Sequence, residues 1–212
     1  MKIAIIGAGN VGGALGMNWA RKGHDVVFGV RDPKAEKMRT LRKAIGGRAS
    51  AVSPAEAAEA GEAIVLSTPW PATEAAIRSL GNIKGKIILD ATNPLAMGPE
   101  GLSLEIGHAI SGGEKVQGWA AGASVFKTLN TTGFANMANP TFKGGKAVMF
   151  VAGDDAANKP KVMTLIGDLG FEVIDAGPLR NARLLEAHAM LWIDLALVRG
   201  QGRDFAFGIL RR

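Results

Sequence analysis

The chain has 212 residues, 47% hydrophobic and 21% charged, which excludes a disordered chain and is enough for one large domain with a real core. It has no cysteine, which rules out a disulfide scaffold, a thiolate nucleophile and a zinc site built on thiolates, and fits a reducing cytoplasm. The formal net charge of +6 suits solubility and attraction of small anions; the Lys and Arg residues are scattered without aromatic interleaving, so nucleic acid is not the expected partner.

In chain order, Lys2 to Ile6 is a short β-branched run and Val11 to Lys22 a helix with Leu15 and Trp19 on one face. The opening Met1 to Gly7 is too short and too soon broken by glycine to be a signal peptide. Asp25 to Phe28 reads as a second strand, and Pro33 to Ala44 as a second helix with Met38, Leu41 and Ile45 on a stripe. Ser53-Pro54-Ala55-Glu56 is a helix start, with Ser at the cap and Pro at the first helical position. Ala63 to Ser67 and Lys86 to Asp90 are further buried-type strands, separated by a helix over Ala72 to Leu80. Short apolar runs alternating with helices are the pattern of βαβ crossovers and a parallel sheet.

After Asp90 the rhythm changes. Thr92 to Ser103 reads as a long loop, Ser124 to Leu129 as a strand and Gly133 to Lys146 again as loop. Ala147 to Ala152 and Phe171 to Asp175 flank a helix from Ala156 to Leu169, and a long apolar helix runs from Leu179 to Val198. No stretch approaches the ~20 apolar residues that would cross a bilayer, so no membrane partner is expected and the chain reads as cytoplasmic.

Gly7-Ala8-Gly9-Asn10-Val11-Gly12 lies between the first strand and the first helix, the setting of the dinucleotide-binding loop. Gly7 permits the tight turn, Gly9 lets the backbone approach a pyrophosphate, and Gly12 allows close packing of helix on strand. The expected fold is therefore α/β: a Rossmann-type, doubly wound, mostly parallel sheet with a small C-terminal helical lobe. Residues 1–150 would form the NADP-binding domain, and 151–212 an extension completing the sheet and the cofactor cleft.

The end of the second strand reads Phe28-Gly29-Val30-Arg31-Asp32-Pro33-Lys34. An acidic residue there would hold the ribose 2′-hydroxyl of NAD; Arg31, with Lys34 and Lys37 nearby, favours the 2′-phosphate of NADP. The alternative is a solvated Arg31 paired with Asp32. Two further strand ends, Ser67-Thr68-Pro69-Trp70 and Thr92-Asn93-Pro94-Leu95, suit a wall against ribose and nicotinamide, though Pro, Asn and Thr also favour ordinary turns.

No acid–base constellation, catalytic residue or metal-ligand spacing stands out. His24 sits in a turn at the sheet end away from any ligand and reads as structural; His188, on the apolar helix near Glu186 and Asp194, reads as a core or interface residue more readily than as a substrate contact. A carbonyl or imine reductase would need a proton donor such as Lys127 or His188. Hydride exchange between two cofactors needs little beyond alignment. A non-catalytic NADP sensor is the third reading.

The chain resembles the family of NADP oxidoreductases dependent on coenzyme F420, a deazaflavin, itself similar to the cytoplasmic reductase domains of the STEAP metalloreductases. The resemblance runs through Ile6 to Gly12, Gly29-Val30-Arg31, Thr68-Pro69-Trp70, Asn93-Pro94-Leu95, Val125 to Thr131 and Asp175 to Leu179, continuing to Asn181, Ala182, Arg183, Leu184 and Glu186. It implies hydride transfer between NADPH and a flavin-like ring system, either coenzyme F420 or FMN/FAD. It also implies that Val30, Arg31 and Lys34 or Lys37 meet the 2′-phosphate. Trp70 and the loop Asn130 to Gly133, including Thr132, would line the cleft. Val30 departs from the Ser or Thr often found there, removing one hydroxyl donor. The family is often homodimeric, and the apolar positions Leu184, Leu191, Ile193, Leu195 and Val198 could serve such a contact or, more simply, the core.

Overall fold

β-branched and apolar runs of four to six residues form the strands of a central sheet, because residues alternating along a strand can bury themselves in two separate cores. In β1 (Lys2–Ile6), Ile3 and Ile5 enter one core while Ala4 and Ile6 enter the other. The same alternation holds along β2 (Asp25–Gly29), β4 (Ala63–Leu66) and β5 (Ile87–Asp90), so helices must cover both faces. The computed structural model describes residues 1–99 and 101–212.

The intervening elements are α1 (Asn10–Arg21), α2 (Glu36–Ile45), β3 (Ala49–Val52), α3 (Pro54–Ala60) and α4 (Trp70–Arg78). After β5 come a hairpin of β6 (Leu95–Gly98) and β7 (Gly101–Leu104), then α5 (Gly112–Trp119) and β8 (Ser124–Lys127). The remainder comprises α6 (Phe134–Ala138), a two-residue hairpin of β9 (Thr141–Phe142) and β10 (Gly145–Lys146), β11 (Val148–Gly153), α7 (Lys159–Gly167), β12 (Glu172–Asp175) and α8 (Ala182–Ile193). A 3-10 turn at Leu179–Asn181 precedes α8, and a π-helical turn at Asp194–Val198 ends it.

The eight-stranded sheet has the order β12-β11-β8-β5-β4-β1-β2-β3. All neighbours are parallel except β8 and β11, where Lys127 opposes Ala152 and Phe126 opposes Gly153. The order reverses between β1 and β4, which opens the crevice where ligands of doubly wound folds bind.

Two expected loops hold structure. Thr92 to Ser103 contains the β6–β7 hairpin, and Gly133 to Lys146 contains α6 and the β9–β10 hairpin; their Pro and Gly residues mark turns between elements too short to show a period. The edge strand β3 and helix α5 carry no strong sequence pattern. The strand expected to reach Leu129 stops at Lys127, because Leu129 adopts φ +60°.

The first helix is tied to the last third of the chain. Asn18 Nδ2 donates to Met137 O (2.9 Å) and Leu169 O (3.1 Å), and Trp19 Nε1 donates to Leu165 O (2.9 Å). The C-terminal tail lies across the same side: Val148 N donates to Phe207 O (3.0 Å), and Trp192 Nε1 to Phe205 O (3.0 Å). None of the helices of the described residues is long and apolar enough to cross a membrane.

Candidate functional site

The glycine loop joins β1 to α1 at the reversal of strand order. Gly7 has φ +101°, and a Cβ there would lie 3.0 Å from Ser67 O. Gly12 is tighter: its Cβ would lie 2.1 Å from Gly7 O and 2.7 Å from Ser67 Oγ. A Cβ at Gly9 would meet nothing within 4 Å, so that glycine keeps open a space which the packing of the fold does not use. Ser67 locks the turn, its Oγ within hydrogen-bond distance of both Ile6 O (3.0 Å) and Gly7 O (2.9 Å). Helix α1 begins at Asn10 with no side-chain cap and no acidic residue in its first turn, whereas α3 and α5 each carry a complete Ser–Glu capping box. Ala8, Gly9, Asn10 and Val11 thus bring an uncapped, positively polarised helix end to the crevice.

Farther along, the tip of β2 places Gly29 under α3, where a Cβ would lie 3.0 Å from Pro54 Cα. Val30 is half-buried, and Arg31 and Lys34 are exposed. Asp32 Oδ1 accepts the backbone N–H of Lys34 (3.0 Å) and forms no ion pair with Arg31. The alternative of an Arg31–Asp32 pair is therefore not realised. Among the described residues, Arg31, Lys34 and Lys37 form no ion pair, which leaves three cations beside one strand end.

A cleft of about 330 Å³ lies beyond the tips of β4 and β5. It gathers eight of the expected residues, Val11, Ser67, Thr68, Pro69, Trp70, Thr92, Asn93 and Leu95, and adds Pro71 and Ala91. Trp70 is buried against Trp119, ring centroids 5.4 Å apart. Thr68 and Thr73 share a hydroxyl hydrogen bond (3.0 Å). Pro94 is buried and its carbonyl accepts from Glu105 N (2.7 Å), anchoring the end of the hairpin.

Asn130 is linked to Asn93 in both directions: Asn93 Nδ2 donates to Asn130 O (3.0 Å), and Asn130 Nδ2 donates to Asn93 Oδ1 (3.1 Å) and to Leu185 O (3.1 Å). Thr132 is also buried and accepts from Asn136 Nδ2 (2.8 Å). Leu129, fully buried with a positive φ, holds this loop in a conformation a non-glycine residue rarely adopts.

Behind the cleft stands a charge cluster that sequence reasoning did not assemble. Lys127 Nζ reaches Asp90 Oδ2 (3.0 Å), Glu186 Oε1 (2.9 Å) and Thr92 O (2.6 Å), so its three protons meet three acceptors. All three charged side chains are at most 1% exposed. Burial alone would lower the Lys127 pKa, but the Asp90 and Glu186 carboxylates outweigh it and raise the value. Glu186 also accepts from Gly112 N (2.8 Å) and Gly113 N (3.0 Å) at the start of α5, and Asp90 Oδ1 accepts from Thr92 N and Oγ1. A cation so enclosed is not placed to deliver a proton into the cleft. The available signal was a single charge inside each of three apolar runs, at Asp90, Lys127 and Glu186.

The histidines are accounted for locally. His24 Nε2 meets Asp168 Oδ2 at 3.0 Å, far from the crevice. His188 packs edge-on to Phe150 and Phe207; its Nε2 has no hydrogen-bond partner among the described residues, and burial lowers its pKa. Leu184, Leu191 and Val198 are 67%, 52% and 64% exposed, so the core reading of these three positions is corrected: α8 buries its other face, through Leu185, Ala189 and Trp192.

The strand order, crossover pattern and glycine turn define a doubly wound α/β protein of the Rossmann class. Residues 2–94 match the model of the family described as NADP oxidoreductase, coenzyme F420-dependent. A crystal structure from Arthrobacter sp. FB24, provisionally named an F420-dependent NADP reductase, is 35% identical, with full coverage of both chains and a TM-score of 0.91. The chain belongs to this family of NADP-linked oxidoreductases. The metalloreductase STEAP3 of Rattus norvegicus is 26% identical over 188 residues, 88% of this chain but only 36% of that protein, so the chain spans about a third of its length. A reductive aminase from Aspergillus terreus, solved with NADPH, shares the fold at 20% identity and a TM-score of 0.69, covering 94% of this chain and 62% of that one.

Proposed function

We propose that the chain transfers hydride between NADPH and a deazaflavin of the coenzyme F420 type, or an ordinary flavin. The observation that carries this reading is the lining of the cleft, whose hydroxyl, amide, proline, aliphatic and indole groups include no titratable side chain among the described residues. Reduction of a carbonyl would call for a proton donor at that surface, whereas exchange between two ring systems calls for alignment and exclusion of water.

NADPH supplies the hydride when bound. The backbone N–H groups of the glycine loop and of the first turn of α1 hold its pyrophosphate in this reading, which fits the open space at Gly9. Arg31, unpaired among the described residues, meets the 2′-phosphate with Lys34 or Lys37, beside Val30. Ser67 through Trp70, with Asn93 and Pro94, wall the ribose and nicotinamide. Asn130 and Thr132 hold the opposite loop. The exposed residues Leu191, Leu197 and Val198 are the surface we assign to a homodimer contact.

The test is NADPH oxidation followed with coenzyme F420, FMN, FAD or no acceptor, and repeated with NADH. Turnover with a deazaflavin or flavin, faster with NADPH than NADH, is the expected outcome. NADPH binding with no turnover across the panel overturns the reading and leaves the carbonyl or imine reductase and the sensor. For the dimer, sedimentation of wild type and Leu191→Glu at matched concentrations should show a dimer only for wild type.

A further inference from the structure

After the π-helical turn the chain reverses and runs back along α8. Gly200 and Gly202 make the reversal with φ +72° and +76°, and residues 200–204 are exposed. Phe205 then lies stacked on Trp192, ring centroids 5.3 Å and planes 26° apart, and Phe207 lies edge-on to His188 at 4.4 Å. The spacings match for a simple reason: residues i and i+2 of an extended chain are roughly 6.6 Å apart on one face, and residues i and i+4 of a helix roughly 6 Å. Two rings of the returning segment therefore pair with two rings one helical turn apart. From Arg203 onward no backbone N–H of the segment reaches an acceptor among the described residues. The segment is hydrogen-bonded through its carbonyls, Phe205 O and Phe207 O, and ends on the Arg211–Glu172 ion pair.

Phe205 O is the junction. It accepts from Trp192 Nε1 on α8 (3.0 Å) and from Asn136 Nδ2 on α6 (2.7 Å). The same Asn136 nitrogen donates to Thr132 Oγ1 (2.8 Å), so its two protons divide between the returning segment and the loop Asn130 to Gly133. Trp192 reaches that loop as well: a Cβ on Gly133 would lie 2.6 Å from its Cη2. At the other end of the loop, Asn130 is bonded to Asn93, a lining residue of the cleft. A continuous path thus runs from Phe205 through Asn136 and Trp192 to the cleft wall, and its outer end has few attachments. Segments of that kind open locally at far lower cost than a central sheet.

From this arrangement we infer that the segment around Phe205 is a strap that positions the Asn130–Gly133 loop for nucleotide binding, with Asn136 and Trp192 as the positioning residues. With the strap lifted, Asn136 loses an acceptor, Trp192 loses a hydrogen bond and its stacked ring, and the loop is released from that side. A nucleotide that prefers the seated arrangement must in turn hold the strap down, because coupling between two sites is reciprocal. This coupling rests on the cleft being the NADPH site proposed above, and it acts from outside the lining.

Two protons report the strap directly in the full chain: the Trp192 indole N–H, accepted by Phe205 O, and the Val148 amide, accepted by Phe207 O. Their exchange with solvent is followed by NMR with and without NADP+, beside calorimetry for the NADP+ Kd. Saturating NADP+ should slow both protons about fivefold to tenfold; a ligand that stabilised only the global fold would leave exchange through local opening unchanged. Phe205→Ala should raise the Kd by a similar factor, and Phe205→Tyr, which keeps the ring, should bind like wild type. Leu210→Ala, at a position 96% exposed beyond the strap, should change nothing. Exchange indifferent to NADP+, or Phe205→Ala binding as tightly as wild type, overturns the strap and leaves the proposed hydride transfer standing. Failure of wild type to bind NADP+ overturns the cofactor site and the strap with it.

Discussion

The glycine loop and the Asp90–Lys127–Glu186 cluster occupy the same end of the sheet and are built in opposite ways. The loop is made by removing side chains: at Gly12 even a methyl group would collide with a backbone carbonyl, and at Gly9 a methyl group would enter open space. The cluster is made by burying three charged side chains and giving each several hydrogen-bond partners. One region leaves an uncapped helix start open to the crevice, and the other leaves no proton of Lys127 unmatched. The difference separates an open surface from a support that fixes where that surface stands, because the cluster grips Thr92 directly and ties α5 and α8 behind the cleft.

By that distinction the largest effect on stability belongs to the cluster. Lys127→Met strands two buried carboxylates and should cost about 3–5 kcal/mol in urea denaturation, with loss of soluble protein as the extreme outcome. An effect under about 1 kcal/mol would show that water or protonation relieves the site easily. Gly12→Ala should come next, lowering both stability and NADPH affinity, since the turn and Ser67 must shift to admit the Cβ; an overpacked site of this kind costs about 1–3 kcal/mol.

Gly9→Ala sharpens the contrast. Its thermal midpoint should stay close to wild type, while NADPH affinity measured by calorimetry falls about tenfold or more through obstruction of the pyrophosphate approach. Equal losses at Gly9 and Gly12 would erase the distinction between packing glycine and binding glycine. Arg31→Ala should leave the fold intact and reduce the preference for NADPH over NADH by about tenfold, read as the ratio of kcat/KM values.

The smallest effect is expected from acid. The folded-state pKa of Glu114 is about 2, below its ordinary 4.5, through hydrogen bonding to Arg183 and Ser111. A depressed carboxylate contributes stability that is complete above its unfolded value and is lost as pH falls toward the folded one. The Arg183–Glu114 contribution should therefore fade between about pH 4.5 and about pH 2, and Glu114→Gln should flatten the pH dependence of the unfolding midpoint in that window. Asp155 shares the direction, with a folded pKa of about 2 held down by Asn158 and Ser124.

The same contrast explains what could be read from the sequence. The glycine turn is local: six consecutive residues between a strand and a helix specify it, and Gly7 and Gly12 take the geometry their spacing implied. The parallel core was legible because Ile3 to Ile6, Ile64 to Leu66 and Ile87 to Leu89 are continuous apolar runs suited to burial on both faces. The charge cluster was not, because Asp90, Lys127 and Glu186 are far apart in the chain and each looks like an isolated polar residue. Helix α5 escaped notice for a related reason. Its start at Ser111 with Glu114 is a capping-box spacing, but Gly112 and Gly113 weaken the helical pattern and make room for the close approach of Glu186 and Ala182. Strand β3 is a short edge with only Ala49 buried, so no apolar alternation announces it.

Asn18 and Trp19 bear on how the protein is made. Their side-chain donors lie on the helix that follows the glycine loop, but the acceptors Met137, Leu165 and Leu169 are 119 to 151 residues downstream. A nascent chain that has emerged only as far as β5 has every residue of the glycine loop and none of these carbonyls. Its first helix waits with polar groups and the Trp19 ring uncovered until α6 and α7 arrive, so closure of the nucleotide half is a late event in synthesis, governed by long-range contacts that form slowly.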